Sequence, residues 1–179
     1  SVSTEREDRT ILDIGAPYYW SWAPDGKTMV VHTGSANSST PEHISFLQTD
    51  AQVIEDGLSE TPASFQAPAW SPNGERILLT RINENEEKEI IVVNGRGDFE
   101  KSIGTYDLNT AFAWSNHSTT VAYIDGEQSM GAGTLGTLHI IDLETSEDLF
   151  QDENVFAFFW SPSGEKLAYF IPVLSEATS

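Results

Sequence analysis

The sequence has no cysteine, only four histidines and only nine lysine and arginine residues among its 179 positions. Without cysteine, neither disulfides nor thiolate metal sites can stabilise the fold, and no thiol nucleophile exists. No apolar run reaches the roughly 18 to 20 residues that a membrane-spanning helix requires. We therefore expect no membrane insertion.

Acidic residues dominate the charge, since 28 Asp and Glu oppose nine Lys and Arg to give a formal net charge of −19. Such a surface repels phosphate backbones, so we expect no nucleic-acid partner. The acidity has two explanations that stay open, solubility in salty surroundings and attraction of cations or basic partners. The scatter of the acidic residues along the chain favours solubility.

Apolar and aromatic residues are abundant enough for a packed core. Hydrophobic residues make up 39% of the chain, with nine Phe, five Tyr and five Trp. This composition is typical of a folded domain and excludes a disordered chain. The length fits one domain, by the prior of roughly 100 to 200 residues per domain.

A five-residue phrase that begins with Trp occurs four times, spaced 44 to 48 residues apart. In three copies, Pro and Gly occupy the positions that a tight turn requires. The third copy lacks both, but Asn tolerates the left-handed region, so we expect its turn to form too. The copies are Trp22-Ala23-Pro24-Asp25-Gly26, Trp70-Ser71-Pro72-Asn73-Gly74, Trp114-Ser115-Asn116-His117-Ser118 and Trp160-Ser161-Pro162-Ser163-Gly164.

Each complete repeat predicts four short antiparallel strands. One strand ends at the Trp, and an apolar run follows seven to nine residues after it. Four strands in about 45 residues indicate a propeller blade, and the repeated Trp is expected to pack between neighbouring sheets. We expect almost no helix. The first strands are expected to begin near Tyr19, Ala67, Phe112 and Ala157, and the third runs are Ile44–Leu47, Ile90–Val93 and Leu138–Ile141.

The repeated Trp phrase followed by an apolar strand resembles the TolB-type, WD-repeat-like β-propeller family. This resemblance implies an all-β chain of about four blades of four-stranded antiparallel sheet. The strand count predicts an incomplete ring, which is either a fragment of a larger propeller or a half-ring completed by another copy of the chain. Open blade edges would favour a homodimer. The expected division is an outer strand of a preceding blade at 1–15, blades at 16–62, 63–108 and 109–154, and a partial blade at 155–179.

The histidines and serines do not form a recognisable catalytic pattern. No two histidines lie within three to five residues of each other, as a metal pair would require. No Gly-x-Ser-x-Gly elbow is present, and Ser71 and Ser161 lie in the turn phrase, where hydrogen bonding within the turn is expected. The histidines, for which we expect packing or solvent exposure, are His32, His43, His117 and His139.

Two further segments partly resemble ligand-binding motifs, and we interpret both as loops without a bound ligand. The glycine-rich Gly131–Gly136 lies between antiparallel strands, whereas a phosphate loop precedes a helix, so we expect a long hairpin loop there. The acidic runs at 84–89 and 144–152 lack the spacing of a calcium loop. We therefore expect no metal, no cofactor and no enzymatic activity.

The start of each innermost strand varies between the repeats, and in a propeller it lines the mouth of the central channel. Ligands bind concave surfaces of this kind. Tyr and Phe with amide side chains suit recognition of a peptide or protein segment, although these aromatic residues would also suit simple packing of the channel. The predicted partner-binding residues are Tyr18, Tyr19, Gln66, Asn109 and Phe156.

The preferred function is a non-catalytic scaffold that recognises a protein or peptide, which the resemblance to TolB-type proteins places in the periplasm or outside the cell. The alternative is the substrate-gating propeller of a prolyl oligopeptidase-family serine peptidase whose catalytic domain lies elsewhere. A propeller enzyme with its own site is a third hypothesis. It would require His, Asp or Arg to converge at the channel mouth, and the predicted residues supply aromatic and amide groups instead.

Overall fold

The structure is a computed structural model that describes residues 19–33, 43–49, 53–55, 58, 61–63, 67–117, 119–130 and 133–172. These residues form β-strands, turns and irregular segments and no helix. No helix able to cross a membrane is therefore present in these ranges. The outer strand predicted at 1–15 lies outside the described residues.

The strands are arranged in antiparallel sheets whose neighbours are mostly consecutive in the chain. The first sheet contains β1 (Tyr19–Trp22), β2 (Thr28–Thr33), β3 (His43–Gln48) and β4 (Val53–Glu55), and the second contains β5 (Ala69–Trp70), β6 (Arg76–Ile82), β7 (Lys88–Asn94) and β8 (Phe99–Thr105). The third contains β9 (Ala111–Trp114), β10 (Thr120–Ile124), β11 (Gln128–Met130), β12 (Gly133–Asp142) and β13 (Glu147–Val155), and the fourth pairs β14 (Ala157–Trp160) with β15 (Leu167–Phe170).

The observed strands confirm the repeat. Each inner strand ends at the Trp of the phrase, and the second and third strands cover the apolar runs predicted from the sequence. Two predicted starts shift slightly, since β5 begins at Ala69 and β9 at Ala111. Pro68 has no backbone N–H to donate, which explains why β5 begins only after it.

All four phrase turns close in the same way. The residue after each Trp donates its backbone N–H to the carbonyl five residues later, as in Ser71 N to Arg76 O at 2.8 Å and Ser161 N to Lys166 O at 2.7 Å. The third turn forms too, with Ser115 N to Thr120 O at 2.8 Å. The predicted reason was wrong, because Asn116 is not among the residues with positive φ.

The turn serines act as hydrogen-bonding groups, as predicted. Ser71 is fully buried, and its Oγ donates to Asn73 Oδ1 at 2.7 Å and accepts the backbone N–H of Arg76 at 2.9 Å. Ser161 Oγ accepts the N–H of Lys166 at 3.1 Å. Both hydroxyls are therefore part of the hairpins.

Substitution of the three turn glycines by Ala is expected to lower the free energy of unfolding by different amounts. Gly26, Gly74 and Gly164 have φ of +68°, +74° and +74°, which L-residues adopt at a cost. A Cβ at Gly26 would meet nothing within 4 Å, one at Gly74 would lie 3.4 Å from Pro24, and one at Gly164 would lie 2.6 Å from the backbone N of Asn116.

We therefore expect Gly26→Ala and Gly74→Ala to lower the free energy of unfolding by about 1 kcal/mol each. Gly164→Ala should cost about 2 kcal/mol or more, because strain and steric overlap add. Urea unfolding of the three variants and the parent measures this. Equal losses at all three positions would show that the turn of the fourth sheet does not contact Asn116.

The core consists of apolar side chains between successive sheets. Val30 and Ile44 of the first sheet pack against Ile77 and Val93 of the second. The other face of the second sheet packs on the third, and the other face of the third packs on the fourth. Both faces of an interior sheet are thus covered, which explains the continuous apolar runs in β6 and β7.

The repeated Trp residues join neighbouring sheets, as predicted. Each indole Nε1 donates to the carbonyl of the residue that precedes the Trp of the previous sheet. These hydrogen bonds are Trp70 to Ser21 at 3.2 Å, Trp114 to Ala69 at 2.8 Å and Trp160 to Ala113 at 3.3 Å. The phrase therefore specifies both the turn and the contact between sheets.

The third sheet departs from the prediction at the glycine-rich segment. Instead of a long loop throughout, β12 extends back to Gly133 and pairs with β11, with Ser129 opposite Thr134. Glycines at 133 and 136 and the polar residues Gln128 and Ser129 of β11 give no apolar alternation, so the sequence carried no strand signal here. The result is a hairpin extension at one end of this sheet.

Candidate functional site

Of the five predicted partner-binding residues, Tyr19, Asn109 and Phe156 fall within the described structure, and Tyr18 and Gln66 lie outside it. Asn109 precedes β9, and Phe156 lies between β13 and β14. Both line one cavity between the third and fourth sheets. Tyr19 begins β1 and is exposed, and it does not line this cavity.

The cavity has a volume of about 170 Å³ and lies where inner strands begin, at the end opposite the phrase turns. Its wall combines the start of β9, the end of β10 and the hairpin extension. Phe156 is 50% exposed and provides its largest apolar surface. The lining residues are Asn109, Thr110, Ala111, Ile124, Gly126, Thr134 and Phe156.

Hydrogen bonds fix the polar wall of the cavity. Thr110 is buried, and its Oγ1 donates to Ile124 O at 2.8 Å while its backbone N–H donates to Asn109 Oδ1 at 3.0 Å. Because Oδ1 of Asn109 is engaged in this way, its Nδ2 is the side-chain group left to donate to a ligand. The cavity thus offers an amide donor beside apolar surface.

Two glycines allow the loops around the cavity to approach each other closely. Gly126 has φ +47°, and a Cβ on it would overlap the backbone carbonyl oxygen of Asn109. A Cβ on Gly136 would lie 2.6 Å from Asp125 Oδ1. Asp125 Oδ1 in turn accepts the N–H of Thr137 at 2.7 Å. Gly126 lines the cavity, so the absence of a side chain there determines the shape of its wall.

The backbone holds Phe156 at the rim. Its N–H donates to Phe170 O at 2.8 Å, which extends the pairing of β14 with β15 by one residue. The side chain is half exposed, whereas that of the preceding Val155 is fully buried. Phe156 is therefore an ordered aromatic surface whose backbone position is fixed.

A second polar cluster lies nearby and was not predicted from the sequence. His139 Nε2 lies 3.3 Å from Asp125 Oδ2, and its Nδ1 lies 3.4 Å from Asp148 Oδ2. The imidazole stacks on Tyr123, with ring centroids 4.6 Å apart and an interplanar angle of 13°. These residues are far apart in sequence, so only strand pairing reveals the cluster. His139 packs on Tyr123, which was one of the two expected outcomes, and its contacts with two carboxylates are the part that was not predicted.

Burial governs the acidity of Tyr123. Its hydroxyl donates to Ile103 O at 3.1 Å. Burial, with the nearby charges of Asp148 and Asp125, raises the pKa of Tyr123 to about 12. The phenol therefore stays neutral at physiological pH.

The arrangement around His139 does not resemble a metal centre. The two carboxylates contact opposite nitrogens of one ring, so the imidazole separates them. Across the described ranges, no group of three or more His, Asp or Glu side chains is placed to hold a metal ion. The cluster connects Tyr123 of β10, His139 of β12 and Asp148 of β13.

Comparison with solved structures identifies the fold. The chain superposes on the β-propeller domain of the Trilobed protease from Pyrococcus furiosus with a TM-score of 0.61, at 18% identity, covering 93% of this chain and 52% of that one. It superposes on a putative TolB from Agrobacterium tumefaciens with a TM-score of 0.59, at 20% identity, covering 90% and 61%. Pyrococcus horikoshii acylaminoacyl peptidase gives 0.52 at 16% identity, covering 74% and 24%.

Comparison of sequences does not assign the chain to a family. No protein-family model matches the chain, and the search of curated proteins gives no match. The chain spans between about a quarter and three fifths of the length of the three solved structures just described. At these identities the likeness concerns the fold alone. The chain is therefore an all-β protein of the β-propeller fold, and the antiparallel blades formed by its described residues do not close into a ring.

Proposed function

We propose that the chain is a non-catalytic, TolB-like β-propeller scaffold that binds a protein or peptide segment at the cavity between its third and fourth sheets. The observation that carries this proposal is the meeting of Asn109 and Phe156 in one cavity, at the blade end where inner strands begin. The predicted TolB-type resemblance, together with the structural likeness to TolB, supports a periplasmic or extracellular location.

The size of the cavity suits one apolar side chain. An engineered apolar cavity of roughly 150 Å³ binds benzene, and this cavity measures about 170 Å³. Phe156, Ile124 and Ala111 supply apolar surface, while Asn109 Nδ2 can donate to a peptide carbonyl. We therefore propose a segment that inserts a Phe or Leu side chain.

The charges around the cavity favour basic residues beside that side chain. The adjacent cavity, of about 200 Å³, is lined by Glu127 and Glu153, and both are exposed. The net charge of −19 adds a long-range attraction for cationic segments. A Lys or Arg next to the inserted side chain would therefore be favoured, most strongly at low salt.

The alternative is a propeller that gates substrate for a serine peptidase domain. The likeness to the propeller of the Trilobed protease and to acylaminoacyl peptidase supports it. One observation distinguishes the gating function from the scaffold function. A hydrolase domain with a Gly-x-Ser-x-Gly elbow in the same polypeptide would favour gating.

The test uses the acetylated, amidated peptides Lys-Phe-Lys and Lys-Ala-Lys, titrated into the ¹⁵N-labelled chain and followed by NMR. We expect the Phe peptide to shift the amide signals of Asn109, Thr110 and Gly126, and the Ala peptide to leave them nearly unchanged. Loss of a central aromatic contact costs more than about 1 kcal/mol, so Phe156→Ala should weaken binding about fivefold to tenfold.

Phe99→Ala is the matched control, because Phe99 is similarly exposed, at 44%, and lies on β8 away from the cavity. The affinity of the Phe99→Ala variant for the Lys-Phe-Lys peptide should equal that of the parent. Equal weakening by both substitutions, or peptide shifts confined to other sheets, would refute a binding site at this cavity.

A further inference from the structure

The contact between successive sheets follows one rule. The Trp of each later sheet donates its indole N–H to the carbonyl of the residue before the Trp of the earlier sheet, in all three described interfaces. Apolar side chains of both sheets surround this hydrogen bond. Each sheet therefore has a donor face, which carries the Trp, and an acceptor face, which carries the carbonyl.

The first sheet has a donor face that no described sheet covers. Trp22 occupies the repeat position of Trp114, yet Trp22 is 44% exposed and Trp114 only 8%. Trp20, two residues earlier and on the same face of β1, is exposed too. The indole of Trp22 has no hydrogen-bond acceptor within the described part of the chain. Two indoles thus present apolar surface and an available donor.

The fourth sheet has the complementary acceptor face. Phe159 precedes Trp160, so its carbonyl occupies the repeat position of Ala69 O and Ala113 O. Phe159 and Phe170 are 62% and 56% exposed on this face, with ring centroids 6.0 Å apart. Adjacent exposed aromatic rings of this kind mark interaction surfaces.

The residue before the Trp differs between the covered faces and the open one. It is small in the first three sheets, where Ser21, Ala69 and Ala113 lie beneath the next sheet. In the fourth sheet Phe159 replaces it, and the residue opposite on β15 is the small Ala168. The open face therefore offers a larger aromatic surface to a partner than the covered faces have at this repeat position.

We propose that these two faces bind each other between two copies of this chain. The Trp20 and Trp22 face of one copy covers the Phe159 and Phe170 face of the next, and Trp22 Nε1 donates to Phe159 O. A second copy is the occupant because the chain itself carries both halves of an interface that it already forms three times internally. The contact is head to tail, so it produces a closed ring of copies or an open chain.

Charge predicts how this association responds to salt. Each copy carries a net charge of −19, so two copies repel each other at long range. Salt screens this repulsion and leaves apolar contact intact. Association should therefore strengthen as the ionic strength rises, the opposite of the response expected for the cationic peptide at the cavity.

Sedimentation velocity of the full chain at several concentrations, in 0.15 M and 1 M NaCl, tests the proposal. The parent should associate in a concentration-dependent manner. Trp22→Glu and Phe159→Glu should each be monomeric, because each variant lacks one of the two faces. An equimolar mixture should form one-to-one dimers, since the Trp22 face of one variant meets the Phe159 face of the other.

Phe99→Glu, which adds the same charge on β8, should associate as the parent does. Circular dichroism confirms that every variant is folded, and Trp22→Lys and Phe159→Lys replace any Glu variant that is not. A parent that stays monomeric at millimolar concentration in 1 M NaCl would overturn the proposal. So would a folded Trp22→Glu chain that still self-associates, or a mixture that gives only monomers.

Discussion

Replacement of Trp114 by Ala is expected to lower the free energy of unfolding by about 3 to 5 kcal/mol, the range for large aromatic residues truncated in a core. Trp114 is 8% exposed and packs against Leu78 of the second sheet and Val121 of its own. Its indole donates to Ala69 O at 2.8 Å. The substitution therefore removes apolar burial and leaves a carbonyl without its donor.

Trp22→Ala is the matched control, because the same residue type occupies the same repeat position without a covering sheet. We expect it to cost less than about 1 kcal/mol when unfolding is measured at a dilution where the chain is monomeric. Trp114→Phe separates the contribution of apolar burial from that of the hydrogen bond, because Phe keeps an aromatic ring and lacks the indole N–H. Urea unfolding followed by circular dichroism measures all three, and similar losses for Trp22→Ala and Trp114→Ala would show that the sheets do not pack as described.

The fold was predictable because the repeat phrase is a local signal that appears four times. Pro and Gly specify a turn whose conformation depends on neighbouring residues only, and the apolar runs specify strands. The phrase Trp also predicts which side of each sheet meets the previous one. Because the phrase is repeated, its four copies together support one architecture, although each copy alone is a weak signal. The third turn was therefore predicted even though it lacks Pro and Gly.

The site was predictable only in part. Asn109 and Phe156, which line the cavity, were predicted because each lies at the start of an inner strand, a position that the repeat itself defines. Thr134 was missed because it reaches this region through the pairing of β12 with β11. The carboxylate partners of His139 were missed because they approach it through the pairing of β12 with β10 and β13. No periodicity in the sequence specifies such a contact. The hairpin extension likewise depends on glycines that allow close contact with a neighbouring loop. The sequence alone does not show which loop lies beside them.

Gly126→Ala is expected to destabilise the chain and deform the cavity together. At φ +47° an Ala costs about 1 kcal/mol in backbone strain. Its Cβ would also overlap the carbonyl oxygen of Asn109, and this oxygen belongs to backbone that a side-chain rotation cannot move. Overpacking of this kind costs about 1 to 3 kcal/mol. The expected total loss of unfolding free energy is therefore about 2 to 4 kcal/mol.

Gly26→Ala separates strain from overlap, because Gly26 also has positive φ and its Cβ would meet nothing within 4 Å. The difference between the two variants, measured by urea unfolding, reports the cost of moving the Asn109 loop. Leu108 N donates to Gly126 O at 3.0 Å, so a displaced Gly126 also strains the loop on its other side. The amide signals of Asn109 and Thr110 should shift in Gly126→Ala and stay in place in Gly26→Ala, and binding of the Lys-Phe-Lys peptide should fall only in the former. If Gly126→Ala matches Gly26→Ala in stability and keeps the parent's affinity, then the close approach of these two loops neither shapes the cavity nor supports the site.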